Sequence, residues 1–231
     1  MGFNQLWSLQ QEEKLKAWHQ VQLVADQRHP APCFTITREF GCEAYALAEE
    51  LIKRLNAQVA GEPWVVVGQQ IIDEVARISG YSVEQIQKSQ DTPSSLKAIF
   101  SMFLDSSRAE ETEVFTHMRE VIRSFAKRGQ CVLVGRGSVL VTQDLSNCIN
   151  LRLVAPLEFR VQKIMKSQQL NKTEAAKYIA SHQQQRDDFI RRFAKGNIAD
   201  PLLYHLLINN AHLGVKKIAE LVEEYMVRYV N

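Results

Sequence analysis

From Pro32 onward the spacing of hydrophobic positions switches repeatedly between two periods. Apolar runs at Cys33 to Ile36, Trp64 to Val67, Cys131 to Val134, Ile149 to Val154 and Leu206 to Ile208 are short and rich in Val, Ile and Leu. Such runs predict strands buried on both faces. Between them lie helical patterns at Ala44 to Leu55, Ile71 to Ile78, Ser94 to Lys127, Glu158 to Met165 and Val215 to Tyr229. The last of these puts Ile218, Leu221, Val222, Tyr225 and Tyr229 on one face. Strands alternating with helices predict an α/β fold with a parallel sheet covered on both sides. In such sheets ligands bind beyond the carboxyl ends of the strands, so the segments that follow each strand are where chemistry is expected.

Two connections exceed ordinary length. The first runs from about residue 68 to about residue 129. The second, from about 167 to 204, contains a helix starting near Asn171, with Glu174 as its capping-box partner, and carries Arg186, Arg191, Arg192 and Lys195. Long insertions near strand ends are often lids. Upstream, residues 1 to 29 predict a separate helix: Ser8 and Gln11 form a capping box, Leu15, Trp18, Val21 and Val24 recur near helical spacing, and His29-Pro30 ends it. This extension, residues 1–30, reads as an arm on its own domain, residues 31–231, with a homodimer contact as the alternative.

Composition narrows the classes. With 231 residues, 45% apolar and 23% charged, the chain suits one large globular domain with insertions. A formal net charge of +2 supplies no global field for nucleic acid or a membrane surface, so any anion site must be local. The N-terminus lacks a basic-then-apolar signal pattern, no apolar run approaches spanning length, and Leu6 occupies the position where a myristoylation signal needs Ser or Thr. Cys33, Cys42, Cys131 and Cys148 contain no C-x-x-C pair and read as buried free thiols in a reducing cytoplasm. His182, His205 and His212 lack ligand spacing and read as surface or helix-end residues.

The stretch from Cys33 to Leu51 has the outline of a phosphate-binding loop: a short strand, a tight turn and an amphipathic helix. Cradling phosphate requires backbone N–H groups converging at a helix N-terminus, with glycines to let the anion approach. Only Gly41 is present. Glu43, Ala44 and Tyr45 stand where glycines, a lysine and a hydroxyl are expected, so G-x-x-x-x-G-K-[ST] is not matched.

Five motifs occur in order: Thr37-Arg-Glu-Phe-Gly41, Val134-Gly-Arg-Gly137, Ala155-Pro-Leu-Glu-Phe-Arg160, Arg186 with Phe189 and Arg191-Arg-Phe193, and Asp200-Pro-Leu-Leu-Tyr-His-Leu-Leu-Ile-Asn-Asn210. Together they resemble the cytidylate kinase-like family of P-loop nucleoside monophosphate kinases, over roughly residues 33 to 230. The resemblance implies a five-stranded parallel core, a helical acceptor insertion at about 68–129 and an arginine-bearing helical lid at about 167–204. It also implies ATP with magnesium as cofactor if the protein is active, and a nucleotide or similar phosphorylated small molecule as partner.

On that resemblance Thr37, Arg38, Gly41, Cys42, Glu43, Ala44 and Tyr45 form the phosphate-loop region, and Arg136, Gly137 and Arg160 hold the acceptor. Arg186, Arg191 and Arg192 neutralise the transferring phosphoryl group, a step in which positioning and positive charge supply most of the catalysis. The residues also permit plainer roles. Arg136 could sit in a simple glycine turn and pair with a carboxylate, Arg38 could cap the sheet edge, and Arg191 and Arg192 could form a solvated face balanced by Asp187 and Asp188. No magnesium ligand stands out, and Thr37 and Asp73 are the candidates.

Three positions depart from the family pattern: Cys42-Glu43-Ala44 in place of Ser-Gly-Gly, Gly68 in place of an acid, and Gln183 in place of an aspartate. A carboxylate pointed at a phosphate about 4 Å away would face repulsion of ~4 kcal/mol at intermediate dielectric. The same group at a helix N-terminus would contribute roughly 0.3 to 1 kcal/mol to that helix. Glu43 turned outward would avoid the repulsion. Two functions follow as expectations: ATP-dependent phosphoryl transfer to a nucleoside monophosphate or similar acceptor, or a non-catalytic nucleotide-binding or regulatory module derived from a kinase.

Overall fold

The computed structural model describes residues 31–59, 61–68, 108–135, 137–194 and 196–230. The expected helix at 1–30, the Ile71 to Ile78 helix, the first part of the Ser94 to Lys127 pattern, Asp73 and Arg136 lie outside the described residues.

Five strands make one parallel sheet: β1 (Cys33–Arg38), β2 (Val65–Val67), β3 (Cys131–Val134), β4 (Cys148–Val154) and β5 (Leu206–Asn209). Their spatial order is β2-β3-β1-β4-β5, which puts β1 at the centre. The helices are α1 (Ala44–Asn56), α2 (Arg108–Arg128), a one-turn α3 (Ser138–Val141), α4 (Leu157–Gln168), α5 (Lys172–Ala194) and α6 (Val215–Val230). Every expected strand is present within two residues of its predicted start. The expected pattern from Glu158 is α4, and the helix expected near Asn171 is α5, which begins one residue after it.

Alternation along the central strands divides the core in two. Phe34 and Ile36, with Val132, Val134, Ile149, Leu151 and Leu153, face Leu47, Leu51 and Leu55 of α1 and Ile218, Ala219 and Val222 of α6. Cys33, Cys131, Leu133 and Cys148 face the other way, against Met118, Val121, Ile122 and Phe125 of α2. Leu51 is fully buried, so Leu51→Ala would cost about 2–5 kcal/mol through lost transfer energy and a cavity. Farther along this second face the strands carry polar residues, and there Thr35 Oγ1 donates to Asn150 Oδ1 at 2.7 Å. A buried polar pair of this kind is tolerated because each partner satisfies the other.

At the amino-terminal edge of the sheet, Gly129 takes φ 77° and Gln130 φ 48° to turn the chain into β3. A Cβ on Gly129 would lie 1.9 Å from the Ala31 carbonyl oxygen, so only glycine fits. Gln130 N–H then donates to Pro32 O at 2.7 Å, which aligns the starts of β1 and β3.

Helices α4 and α5 form a small unit of their own around Val161, Ile164, Ala175 and Ile179, with Phe40 from the loop after β1 packed against it. The capping box at the start of α5 is reciprocal: Asn171 N–H donates to Glu174 Oε2 and Glu174 N–H to Asn171 Oδ1, both at 3.0 Å. Among the described residues no helix is long and apolar enough to cross a membrane.

Candidate functional site

The loop from Glu39 to Glu43 leaves the carboxyl end of the central strand and runs into α1, the position where parallel sheets bind ligands. Its one glycine, Gly41, has φ 97°. A Cβ there would come within 2.8 Å of Arg160 Cβ on α4, so this glycine serves close packing of loop on helix.

Arg160 and Lys163 are one turn apart on α4 and face the loop's two acids. Lys163 Nζ lies 2.7 Å from Glu43 Oε1, and Arg160 Nε lies 3.6 Å from Glu39 Oε2. Arg160 also donates through Nε to Ala155 O at 3.0 Å and through Nη1 to Phe40 O at 3.4 Å. Glu39 Oε2 accepts from Ala155 N–H at 2.9 Å. At the end of β5, Asn210 Oδ1 accepts the Glu43 N–H at 2.8 Å, and Asn210 Nδ2 reaches Glu43 Oε2 at 3.5 Å. Glu43 therefore turns toward α4 and β5, and one of the loop's own amides is consumed by a side chain.

Phe40 carries the second contact with the helical pair. Its N–H donates to Gln183 Oε1 at 2.8 Å, while Gln183 Nε2 donates to Asp187 Oδ1 at 2.9 Å. The Arg186 guanidinium stacks over the Phe40 ring at 4.5 Å, and the His182 ring lies 4.8 Å from it. Gln183 thus supplies an acceptor where a carboxylate was expected, and Arg186 is drawn onto the loop.

Arg38 lies on the α1 side of the sheet. Its guanidinium sits 5.5 Å from the centre of the Tyr45 ring, and a Cβ on Gly135 would be 2.0 Å from Nη1. Gly135, at φ 78°, makes room for it. Desolvation lowers the Arg38 pKa from its ordinary value and the Tyr45 hydroxyl opposes that shift. Arg38 has no carboxylate ion-pair partner among the described residues. Tyr45 reaches across to β2, where its hydroxyl would lie 2.9 Å from a Cβ on Gly68. The absent side chain at Gly68 and the bulky one at Tyr45 therefore fit each other, a complementarity that a single-position reading of Gly68 could not reveal.

The remaining expected site residues have plainer settings. Thr37 is buried and its hydroxyl donates to Leu151 O at 3.4 Å, so it is engaged in the sheet. Ala44 is buried in the core as the first residue of α1. Cys42 is partly buried; burial first, then the nearby Glu39, push its thiol up to about 12, against the pull of Arg160 and Arg152. Gly137 is left-handed at φ 69° and leads into α3. Arg191 is exposed and pairs with Asp188 on its own helix at 3.3 Å. Arg192 lies within α5, and its side chain is outside the described part. His205 is not a surface residue: half-buried, it accepts the Asn150 N–H through Nδ1 at 2.9 Å, and burial lowers its pKa.

Sequence reasoning missed Lys163 and Asn210, which meet Glu43 only through the fold. It also missed Arg152, a buried arginine whose Nη1 donates to Ile198 O at 2.6 Å and fastens the segment after α5 to β4. Among the described residues no group of His, Cys, Asp and Glu is arranged to hold a metal ion. The described loop thus carries two carboxylates, each paired to a base on α4, and its one glycine is packed against Arg160.

The model of the cytidylate kinase-like family matches residues 33–212. No curated protein matches the sequence. Among solved structures, an uncharacterized protein from Eubacterium ventriosum ATCC 27560 is similar at TM-score 0.62 and 16% identity, over 85% of this chain and 98% of that one. Shikimate kinase from Acinetobacter baumannii in complex with shikimate is similar at TM-score 0.47 and 16% identity, over 86% of this chain and 94% of that one. With a family model spanning most of its length and a five-stranded parallel sheet to match, the chain belongs to the cytidylate kinase-like family.

Proposed function

We propose that this chain is a kinase-derived binding or regulatory module in which ATP-dependent phosphoryl transfer is suppressed at the loop after β1. The observation that carries this reading is the contact of Glu43 with Lys163 and Asn210. A phosphate loop works because backbone amides and a helix N-terminus present positive charge to an anion. Here the loop brings two carboxylates, and the bases that would meet an anion meet those carboxylates instead. Calorimetry with ATP, with and without magnesium, and with CMP tests the reading. The native chain should give no ATP binding in the micromolar range, and Glu43→Gly should gain it. Tight ATP binding with turnover of a monophosphate acceptor by the native protein would overturn it.

A second reading, an active kinase acting on a nucleoside monophosphate or similar small acceptor, is favoured by Arg38. An arginine at the carboxyl end of the central strand, without a described carboxylate partner, suits a phosphate group. In this reading Arg186 and the α4–α5 pair form the lid, and Arg38 rather than Arg160 holds the acceptor phosphate. Magnesium would arrive with ATP. A screen of monophosphates with Mg-ATP distinguishes the readings, since Arg38→Ala would abolish turnover in the second and has no turnover to abolish in the first.

A further inference from the structure

Three neighbouring strands end together in a shelf that carries few side chains. In the order β2-β3-β1, Gly68 directly follows β2, Gly135 directly follows β3, and Arg38 is the last residue of β1. Arg38 leans over Gly135, where a Cβ would lie 2.0 Å from its Nη1. Tyr45, in the first turn of α1, reaches farther, and its hydroxyl would lie 2.9 Å from a Cβ on Gly68. The phenol therefore lies across the shelf, with its ring centre 5.5 Å from Arg38 Cζ. Glycine at both strand ends keeps that space open: a side chain at 135 would strike the guanidinium, and one at 68 would strike the phenol.

The charge of Arg38 is poorly answered by the fold. Arg38 is half-buried, and among the described residues no carboxylate, amide or carbonyl oxygen accepts a hydrogen bond from its guanidinium. A guanidinium carries five donors in a planar fork, and taking it out of water costs free energy unless an anion or a set of acceptors replaces the water. Tyr45 supplies a π-face and a hydroxyl, which offset part of that cost. The loop's carboxylates supply nothing here, because Glu43 is turned toward Lys163 and Asn210, and Glu39 toward Arg160 and the Ala155 N–H. The fork thus faces an aromatic ring where its geometry suits an oxyanion. That ring is also removable. Tyr45 is 36% exposed and stands outside the core packed beneath α1, so its side chain can turn to solvent without opening that core.

We propose that Tyr45 is the gate of an anion site at Arg38, which takes a phosphate group, free or as the terminal group of a small molecule, when the phenol swings off the shelf. This role for Tyr45 rests on the reading of Arg38 as a phosphate-binding residue and adds what controls access to it. With the phenol displaced, the shelf offers a floor of backbone, a guanidinium able to bind bidentately, and a space the size of the departed head group, which suits one tetrahedral oxyanion. The site draws on none of the loop's amides, so it is compatible with a loop that engages its own carboxylates. While the gate is shut, the apparent affinity is reduced by the fraction of molecules in which it stands open.

The test is equilibrium dialysis of the full-length chain against radiolabelled inorganic phosphate. Tyr45→Ala should bind phosphate about tenfold more tightly than the native chain, because no ring competes for the guanidinium. Tyr45→Leu, which lacks both ring and hydroxyl, should shift in the same direction and serves if the alanine variant does not fold. Adding Arg38→Gln to either should abolish binding. Competition by glycerol phosphate at least as strong as by unlabelled phosphate would assign the site to a monoester, and weaker competition to the free ion. Equal binding by the native chain and the Tyr45 variants, lost in Arg38→Gln, would overturn the gate and leave Arg38 as a phosphate-binding residue. Binding that survives Arg38→Gln, or no binding by any of these proteins, would overturn both.

Discussion

Glu43 and Lys163, 120 residues apart in the chain, meet at 2.7 Å across the gap between the loop after β1 and helix α4. Both side chains keep substantial exposure, so the pair is worth only about 0.2–1 kcal/mol to stability. Its effect is positional: it holds a carboxylate at the mouth of the loop. Lys163→Glu should lower stability by about 1 kcal/mol or less, and the exchange Glu43→Lys with Lys163→Glu should recover most of that loss. Urea unfolding of the four proteins in a double-mutant cycle checks this. Strictly additive losses would show that the two charges do not interact.

Gly135 is expected to be intolerant of any side chain. At φ 78°, a β-carbon carries its own backbone strain of roughly 1–2 kcal/mol, and its position 2.0 Å from Arg38 Nη1 would force the guanidinium from its place under Tyr45. Gly135→Ala should therefore destabilise the protein by more than about 1 kcal/mol in thermal or urea unfolding. Gly68→Ala is the milder control. Its contacts are with the far end of the Tyr45 side chain, which can swing outward.

The Cys42 thiol gives the loop an alkaline signature. In the unfolded chain it titrates near 9.0, and in the folded protein at about 12, so folding favours the protonated form. That contribution is complete below pH 9.0 and is lost as pH rises toward about 12. Cys42→Ser should remove it and flatten the decline of stability over that window relative to the native chain. Iodoacetamide should correspondingly modify Cys42 slowly at neutral pH, because little thiolate is present.

Much of the architecture was legible because it is set by local period and composition. The β3 run was located to the residue, the capping box of Asn171 and Glu174 marked the start of α5, and the glycine at 41 marked the turn. What escaped was every feature that depends on which strands become neighbours. The row of Cys33, Cys131 and Cys148 exists only once β1 is placed between β3 and β4. Lys163 belongs to no motif and Asn210 only closes the fifth, and both acquire meaning from the carboxylate they meet. The one-turn helix Ser138–Val141 is too short for periodicity to announce. Gln183 shows the opposite error. It looked like the loss of a carboxylate, yet its amide oxygen supplies the acceptor that Phe40 N–H needs.

The α4–α5 excursion leaves the end of β4 and is tied back to the same strand before the chain enters β5. At its start the Ala155 N–H is bonded to Glu39, and at its end Ile198 O is bonded to Arg152. The two points, Arg152 on β4 and Ala155 just past its end, are three residues apart in the chain, about 10 Å at the rise of a strand. The excursion is thus built like the handle of a bucket, with two pivots set close together. Rotation about the line through them would carry Arg160, Lys163 and Arg186 away from the loop as one body and leave the sheet unchanged.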